Sequence, residues 1–355
     1  METKLIHTDQ EWPYILTLLP EDLDELARET QALVRCRNIP DAASLMRMAL
    51  AYAISDLSLK DVAAWASALG VADITGPGLF YRIREAESWL QIILALILGH
   101  DVGKGPKGLR LRIVDATVIN GPGAKGTEWR AHVIVDPETG CFQSVELSDS
   151  HGGESYTRYV IEEGDVVLGD RAYATAKGIH AVRLVNAHVV VRLNPHTIRI
   201  CGLDRHRISL LDKEEDVPKV GGVEYDVLLP IPPERRNRSH KTWKLEDAVD
   251  WIPARVVAAR TRNSNVIWVL TTLSKADLPS NSVLSLYRLR WQVELTFKRL
   301  KSLLHLDNLP SRQGPTAKSW MLAKFIAAAL AQKLVQPNGP LSPWGYEILS
   351  EGVYP

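Results

Sequence analysis

Cysteine is scarce in this sequence, with only Cys36, Cys141 and Cys201 among 355 residues. The three lie far apart and none forms a C-x-x-C pair, so the sequence suggests neither a disulfide framework nor a cysteine zinc site. A chain of this kind suits a reducing compartment. We therefore expect a cytoplasmic protein.

Long apolar runs are also missing. The longest, LQIILALIL at residues 90–98, is well short of the roughly 20 residues that a membrane-spanning helix needs. No secretory signal pattern opens the chain. We expect no membrane partner.

The chain has no overall excess of charge, because Lys plus Arg and Asp plus Glu each number 42. The sum therefore gives no support for a polyanionic partner, although the local distribution matters more. Residues 281–320 are basic and the first 29 residues are acidic. With 46% hydrophobic and 24% charged residues, the chain belongs to the globular class and has room for roughly two or three domains.

The first hundred residues predict helices almost throughout. One helix closes on Gly70, and the next carries Tyr81, Arg82 and Arg84 near its start. A helix, a glycine turn and a basic helix resemble a helix-turn-helix unit, although helical pairs of this kind also occur in proteins that do not bind DNA. We predict that residues 1–105 form a helical N-terminal DNA-binding domain.

From residue 108 the sequence predicts strands. GLRLRIVDAT, RAHVIVD, CFQSVELSD, DVVLGDRAYA and HVVVRLN read as strands, a helical stretch is expected at 156–163, and TAKGIHAVRLV as a further helix. This β-β-β-α-β-α-β order is that of a ribonuclease H-like domain. The predicted class is α/β, a mixed sheet flanked by helices.

The remaining chain sets the other predicted boundaries. Residues 195–275 read as a β-rich insertion, and a helix resumes near 280. The catalytic domain is therefore predicted to comprise 106–194 and 276–335. Residues 336–355 form a C-terminal tail whose ending, LSPWGYEILSEGVYP, has no evident helical or basic pattern.

Two aspartates, Asp115 in IVDAT and Asp170 in VLGDRAY, each follow a short apolar run and precede an expected break. Strands 1 and 4 are neighbours in the ribonuclease H-like order, so these carboxylates are expected close together. Such a pair repels itself unless a cation lies between, and oxygen donors suit Mg²⁺ or Mn²⁺. Either aspartate alone has a simpler explanation as a turn former or helix cap.

The segment YRLRWQVELTFKRLKS, residues 287–302, is predicted as one helix with an apolar face. Beside that face runs a polar stripe, which consists of Tyr287, Arg290, Glu294, Lys298 and Lys301. On its own the stripe is explained equally well by a solvated face with i,i+4 ion pairs. Together with the two aspartates, Glu294 becomes a third carboxylate, and three carboxylates can hold two metal ions for phosphoryl transfer.

The spacing Y-(2)-R-(3)-E-(6)-K over residues 287–301 resembles the signature of the DDE transposases of bacterial insertion sequences, family 4. DRAY at 170–173 resembles the D-R-x-Y motif around the second acid of that family, and IVDATVI resembles its first strand end. The resemblance covers residues 108–305, and more loosely the helical N-terminal region.

The resemblance implies a role for each matching residue. Asp115, Asp170 and Glu294 are the expected catalytic, metal-binding triad. The residues expected to contact DNA are Tyr287, Arg290, Lys298, Lys301, Arg171 and Tyr173.

The expected activity is metal-dependent DNA strand cleavage at the ends of the element, followed by transfer of the 3′-hydroxyl into target DNA. We expect two Mg²⁺ ions per site, with Mn²⁺ able to substitute. The expected partners are inverted-repeat ends, a target duplex and a second copy of the chain in the DNA complex. Two alternatives remain: a ribonuclease H-like nuclease, or a catalytically decayed DNA-binding copy, because the chain ends soon after Lys301 and a dimerisation region could be shortened.

Overall fold

The computed structural model describes residues 11–99, 109–121, 123–137, 139–234, 243–261, 264–311 and 314–335. The predicted tail, 336–355, lies outside the described residues. Across these ranges, every helix is too short or too polar to span a bilayer.

The N-terminal region is helical, as predicted. Residues 11–16 are helical, and five labelled helices follow: α1 (Leu23–Glu29), α2 (Ala42–Ile54), α3 (Leu59–Ala68), α4 (Gly76–Glu85) and α5 (Glu87–Leu98). Ser58 starts α3 with a capping box shared with Asp61. Gly70 takes a left-handed φ of 67° in the turn between α3 and α4. Two consecutive helices joined by a turn are present, and both the helix-turn-helix assignment and its binding of DNA stay predictions.

One mixed sheet organises the rest of the molecule. Its strands are β1 (Arg110–Ile119), β2 (Trp129–Val135), β3 (Phe142–Asp149), β4 (Asp165–Gly169), β5 (His188–Arg192), β6 (Ile200–Cys201), β7 (Arg207–Ile208), β8 (Gly222–Ile231), β9 (Asp250–Arg260) and β10 (Val266–Thr271). The spatial order is β3-β2-β1-β4-β5-β10-β9-β8-β6-β7. Helix α6 (Ala176–Leu184) connects β4 to β5.

The first five strands have the predicted ribonuclease H-like arrangement. β1, β2 and β3 are antiparallel neighbours, whereas β4 lies parallel to β1 and β5 parallel to β4. Strands 1 and 4 are therefore adjacent, as the sequence predicted. A parallel pair needs a crossover connection, and α6 supplies the one between β4 and β5.

The strands of 195–275 continue this sheet. β10 pairs antiparallel with β5, and β9 and β8 follow in turn. The β-rich character of the segment is confirmed. Its status as a separate insertion domain, with the boundaries predicted above, stays a prediction.

Each face of the sheet covers a hydrophobic core. Along β4, Val166 and Leu168 pack into the core shared with the N-terminal and C-terminal helices, whereas Val167 packs into the core beneath α6. All five residues of β4 are buried. The alternation of side chains along a strand thus explains why this central strand is apolar throughout.

The helical stretch predicted at 156–163 is largely wrong. The structure has only a single 3₁₀ turn, Tyr156–Arg158, capped by the Ser155 side chain. The rings of Tyr156 and Tyr159 are both buried. Burying two aromatic rings three residues apart fixes the segment by tertiary packing, which overrides local helix preference.

Three helices end the described chain: α7 (Ser280–Arg288), α8 (Trp291–Leu304) and α9 (Gly314–Val335). The single helix predicted over 287–302 is therefore wrong at its start. Leu289 and Arg290 keep right-handed helical dihedrals, but their N–H groups bond to Leu286 and Tyr287, three residues back. This tight 3₁₀-like step separates α7 from α8.

Lowering the pH from about 6.5 towards 4 should destabilise the fold through His132, a fully buried residue of β2. Burial, and then the charges of Arg158 and Arg130, lower the pKa of this imidazole to about 4. Between these pH values His132 is protonated in the unfolded chain but not in the folded protein. The free energy of unfolding therefore falls as the pH is lowered across this window.

Urea unfolding of the wild type and His132→Gln at both ends of the window measures the effect. Glutamine can still bond Ser148, which lies 2.8 Å from His132 Nε2. The variant should lose less stability on acidification. An equal loss in both proteins would contradict the role of His132.

Candidate active site

The strand register brings the two predicted aspartates to the same level of the sheet. Ile113 of β1 is the partner of Leu168 of β4 in a parallel pair. Asp115 and Asp170 each lie two residues further along their chains, and neighbouring strands are about 4.8 Å apart. The prediction that Asp115 ends its strand is wrong, because β1 continues to Ile119 by pairing with β2. It is β4 that stops, at Gly169.

Asp115 lies in a site of low solvent exposure. Its side chain is 14% exposed, and its Oδ1 accepts a hydrogen bond from the Ala116 N–H. Burial raises the pKa of Asp115 to about 6, and the charges of Asp170 and Glu154 add to the rise, against the lowering effects of Ala116 and Arg290. Two of the predicted acids therefore interact electrostatically.

The guanidinium of Arg290 connects Glu294 to Asp115. Arg290 Nη1 lies 3.2 Å from Asp115 Oδ2, and its Nη2 donates to Glu294 Oε1. Arg290 immediately precedes α8, so Glu294 lies one turn along the same helix face, and α8 packs on β1. The three residues form an acid-base-acid bridge across the site.

Tyr287 is buried, with 8% of its surface exposed. Its ring centroid lies 6.0 Å from the Arg290 guanidinium carbon. Burial raises the pKa of Tyr287, and the nearby Arg290 and Arg192 oppose the rise. In this conformation its ring supports Arg290 from the protein side.

The DRAY segment places its two predicted DNA contacts differently. Arg171 is exposed, whereas Tyr173 is fully buried. The Tyr173 hydroxyl lies 2.8 Å from the Tyr159 hydroxyl, which in turn donates to the Asp115 carbonyl at 3.3 Å. The position of Tyr173 suits support of the strand that carries Asp115, and its ring faces no open surface.

A fourth acid, Glu154, was not identified from the sequence. Its carboxylate lies 3.9 Å from Arg130 Nε, and Arg130 also holds the Gly152 carbonyl at 2.7 Å. Burial raises the pKa of Glu154, the charge of Asp170 raises it further, and Arg130 opposes the rise. The loop that carries it, between β3 and the 3₁₀ turn, has no local motif that would have pointed to this location.

An open cleft of about 620 Å³ joins the predicted acidic and basic residues. It is lined by Asp115, Ala116, Glu294, Phe297, Lys298, Lys301, Ser302 and Asp307. Lys298 is exposed and Lys301 is half-buried. The α8 wall thus carries two lysines beside Glu294, and Asp115 faces the same cleft from β1, an arrangement that suits a phosphate backbone next to a metal site.

The donor set fits a hard divalent cation in part. Asp115 and Asp170 offer carboxylate oxygens at one level, the ligands that Mg²⁺ and Mn²⁺ prefer. Glu294 offers a third carboxylate, but in this state the Arg290 guanidinium holds it. Accordingly, among the described residues no group of three or more acidic, histidine or cysteine side chains is gathered closely enough to hold a metal ion.

Comparisons with known proteins agree on one family. A family profile described as "Transposase DDE domain" matches residues 106–330. The "Putative transposase InsL for insertion sequence element IS186A" of Escherichia coli (strain K12) is 33% identical over 362 residues, covering 95% of this chain and 97% of that protein. The "Transposase for insertion sequence element IS421" of Escherichia coli is 33% identical over 363 residues, with the same coverage of both chains.

A solved structure also resembles the chain. It is the cryo-EM structure of piggyBac transposase in a synaptic complex with hairpin DNA, with a TM-score of 0.48 and 10% sequence identity. The likeness covers 81% of this chain and 63% of that one.

Proposed function

Because this chain belongs to the DDE transposases of insertion sequences, we propose that Asp115, Asp170 and Glu294 form its catalytic triad. Two observations support the proposal: the β1–β4 register, whose continuation puts Asp115 and Asp170 at the same level, and the cleft that Asp115 and Glu294 both line. The closer assignment to insertion-sequence family 4 rests on the Y-(2)-R-(3)-E-(6)-K spacing and stays part of the proposal.

The family uses divalent metal ions, and we propose two Mg²⁺ ions held by Asp115, Asp170 and Glu294, with Mn²⁺ as a substitute. When bound, the ions would activate the attacking oxygen and stabilise the leaving oxygen of a phosphodiester. The low exposure of Asp115 keeps its carboxylate fixed on β1. Fixed donors need little reorganisation in the transition state.

The proposed first step is hydrolysis at an end of the element. A water oxygen attacks the phosphorus at the element's 3′ end, the bond from phosphorus to the 3′ oxygen breaks, and a free 3′-hydroxyl and a 5′-phosphate remain. Lys298 and Lys301 would hold the phosphates of the end along the α8 wall. Arg171, which is exposed and follows Asp170, would contact the DNA strand on the side away from α8.

The proposed second step uses the same residues. The freed 3′-hydroxyl attacks a phosphorus of the target duplex, forms a new bond, and displaces a 3′-hydroxyl of the target strand. No covalent bond to the protein forms in either step. We propose that two copies of the chain pair the inverted-repeat ends, and that the reaction takes place in the cytoplasm, where a bacterial element's DNA lies.

A cleavage assay tests the proposed function. The substrate is a labelled duplex that carries the inverted repeat flanking the coding sequence, incubated with the protein in Mg²⁺, Mn²⁺ or EDTA. We expect nicking at the repeat boundary in either metal and none in EDTA. Specific binding without nicking in Mn²⁺ would make the chain a DNA-binding protein without the activity.

Removing the lysines of α8 should weaken binding of all DNA sequences alike. The logarithm of the affinity falls with the logarithm of salt concentration by about 0.9 per phosphate contacted. Lys298→Ala with Lys301→Ala should therefore lower that slope by about 2. The readout is a fluorescence anisotropy titration over a salt series, on inverted-repeat and scrambled duplexes.

Lys333→Ala is the matched control, because Lys333 is an exposed lysine at the far end of α9. It should leave the slope unchanged. A double variant with the wild-type slope would place the DNA elsewhere on the protein.

A further inference from the structure

The guanidinium of Arg290 lies between two of the proposed metal ligands. It contacts Asp115 Oδ2 at 3.2 Å and donates from its other terminal nitrogen to Glu294 Oε1. Its side chain is 18% exposed, against 46% for Glu294. One side chain thus pairs with a partly buried acid of the sheet and an exposed acid of α8.

Arg290 and a metal ion compete for the same oxygen atoms. A carboxylate oxygen that accepts a charge-assisted hydrogen bond from a guanidinium cannot give its full charge to a divalent cation. Each ion that binds Glu294 and Asp115 together must therefore weaken or break the Arg290 bridge.

An Arg290 that leaves the bridge needs another anion. A partly buried charge without an anionic partner is costly. Tyr287 beneath it offers a ring centroid 6.0 Å away and a side-chain hydrogen bond, but no carboxylate. Asp115 and Glu294, which Arg290 contacts, both line the cleft that carries Lys298 and Lys301, so a DNA phosphate bound beside these acids would offer Arg290 another anion. A guanidinium can form the same paired hydrogen bonds with a phosphate as it forms with a carboxylate.

We propose that Arg290 is a displaceable internal cation that couples metal binding to DNA binding. Without DNA, it holds Asp115 and Glu294 and keeps the metal affinity low. When an end of the element enters the cleft, Arg290 turns to a phosphate and frees both carboxylates. By linkage, metal and DNA each raise the affinity for the other by the same factor. This inference rests on the proposed function of the triad.

The inference gives Arg290 a role beyond contact with DNA. A protein that binds metal only after its substrate avoids nicking DNA at random. Arg290 acts here through Asp115 and Glu294, so it is a positioning residue, and a simple phosphate contact would not change metal affinity in the absence of DNA.

The test measures Mn²⁺ affinity by electron paramagnetic resonance of the free ion, with and without a short inverted-repeat duplex. The wild type should bind Mn²⁺ weakly alone and about ten-fold more tightly with the duplex, a factor within the usual range of coupling between sites. Arg290→Gln should bind Mn²⁺ with the tighter affinity even without DNA, and the duplex should add little. Arg290→Lys should lie between the two.

Arg299→Gln is the matched control. Arg299 is exposed on α8, about half a turn around the helix from Arg290, and its removal should leave the coupling at the wild-type factor. Thermal unfolding of each variant checks that it is folded. If Arg290→Gln and the wild type have the same Mn²⁺ affinity without DNA, the inference is overturned.

Failure of the inference is distinguishable from failure of the proposed function. A wild type that nicks the duplex in Mn²⁺, while Arg290→Gln gains no affinity, overturns only the role of Arg290. A wild type that binds no Mn²⁺ and cuts no DNA overturns both.

Discussion

Asp115→Asn should slow strand cleavage by about 10²–10³-fold, the scale seen when a group that stabilises the transition state is removed. Asparagine keeps the shape of the side chain and can still accept the bond from the Ala116 N–H. It removes the charge that the proposed metal ligand on β1 would supply. Affinity for the inverted-repeat duplex should stay within a few fold, because the basic residues of α8 are unchanged.

Cleavage of the labelled duplex and anisotropy on the same preparation separate the two effects. Asp149→Asn is the matched control, since Asp149 is an exposed carboxylate at the end of β3. This variant should cleave the duplex at the wild-type rate. Glu294→Gln should behave as Asp115→Asn does. Persistent metal-dependent cleavage in either triad variant would show that the triad is assigned wrongly.

Asp165→Ala should destabilise the fold strongly, by about 3–5 kcal/mol, the usual result of removing one partner of a buried ion pair. Asp165 is fully buried at the start of β4. Arg112 Nη1 donates to its Oδ2 at 2.7 Å, and Arg110 Nε lies 2.9 Å from its Oδ1 without the alignment of a hydrogen bond. The Glu162 N–H also donates to Oδ2. The alanine variant therefore takes from Arg112 the buried acid that it contacts, whereas Arg110 keeps its ion pair with Glu162 at 2.8 Å.

Urea unfolding gives the loss as a fall in the free energy of unfolding. Asp226→Ala is the control: its ion pair with Lys275, at 3.5 Å, has more than half of each side chain exposed. Such a pair is worth about 0–1 kcal/mol. Equal losses in the two variants would mean that the buried ion pair contributes no more to the free energy of unfolding than the exposed one does.

Much of the fold followed from local patterns. The apolar run VVLG before Asp170 predicted a strand, and β4 is that strand, with all of its residues buried. The adjacency of β1 and β4 followed from the β-β-β-α-β-α-β order, because a parallel crossover has few arrangements available. The register that sets Asp115 level with Asp170 was not predictable, since it depends on pairing across more than 50 residues of chain.

The errors have a common cause in tertiary packing. Asp115 was expected at a strand end, but β2 gives β1 a partner for several more residues. Tyr287 belongs to the polar stripe by helical spacing, yet the 3₁₀-like step at Leu289 and Arg290 changes the spacing and the ring is buried. A single sequence carries no signal for a one-step change of helix type.

The candidate site was predictable only in its residue types. Spacing selected Glu294 and Arg290 as neighbours on one helix face, and the structure has them bonded. The bridge from Arg290 to Asp115 spans 175 positions, and no local pattern specifies it. Glu154 stands in a loop and was missed for the same reason.

The most direct test of the central claim is the position of manganese in a complex of this chain with its inverted-repeat end, located by anomalous scattering. We expect a metal ion coordinated by Asp115 and Asp170, with Glu294 turned towards the same site and Arg290 on a DNA phosphate. Manganese bound elsewhere, with Asp115 and Glu294 still bridged by Arg290 at the scissile phosphate, would contradict it.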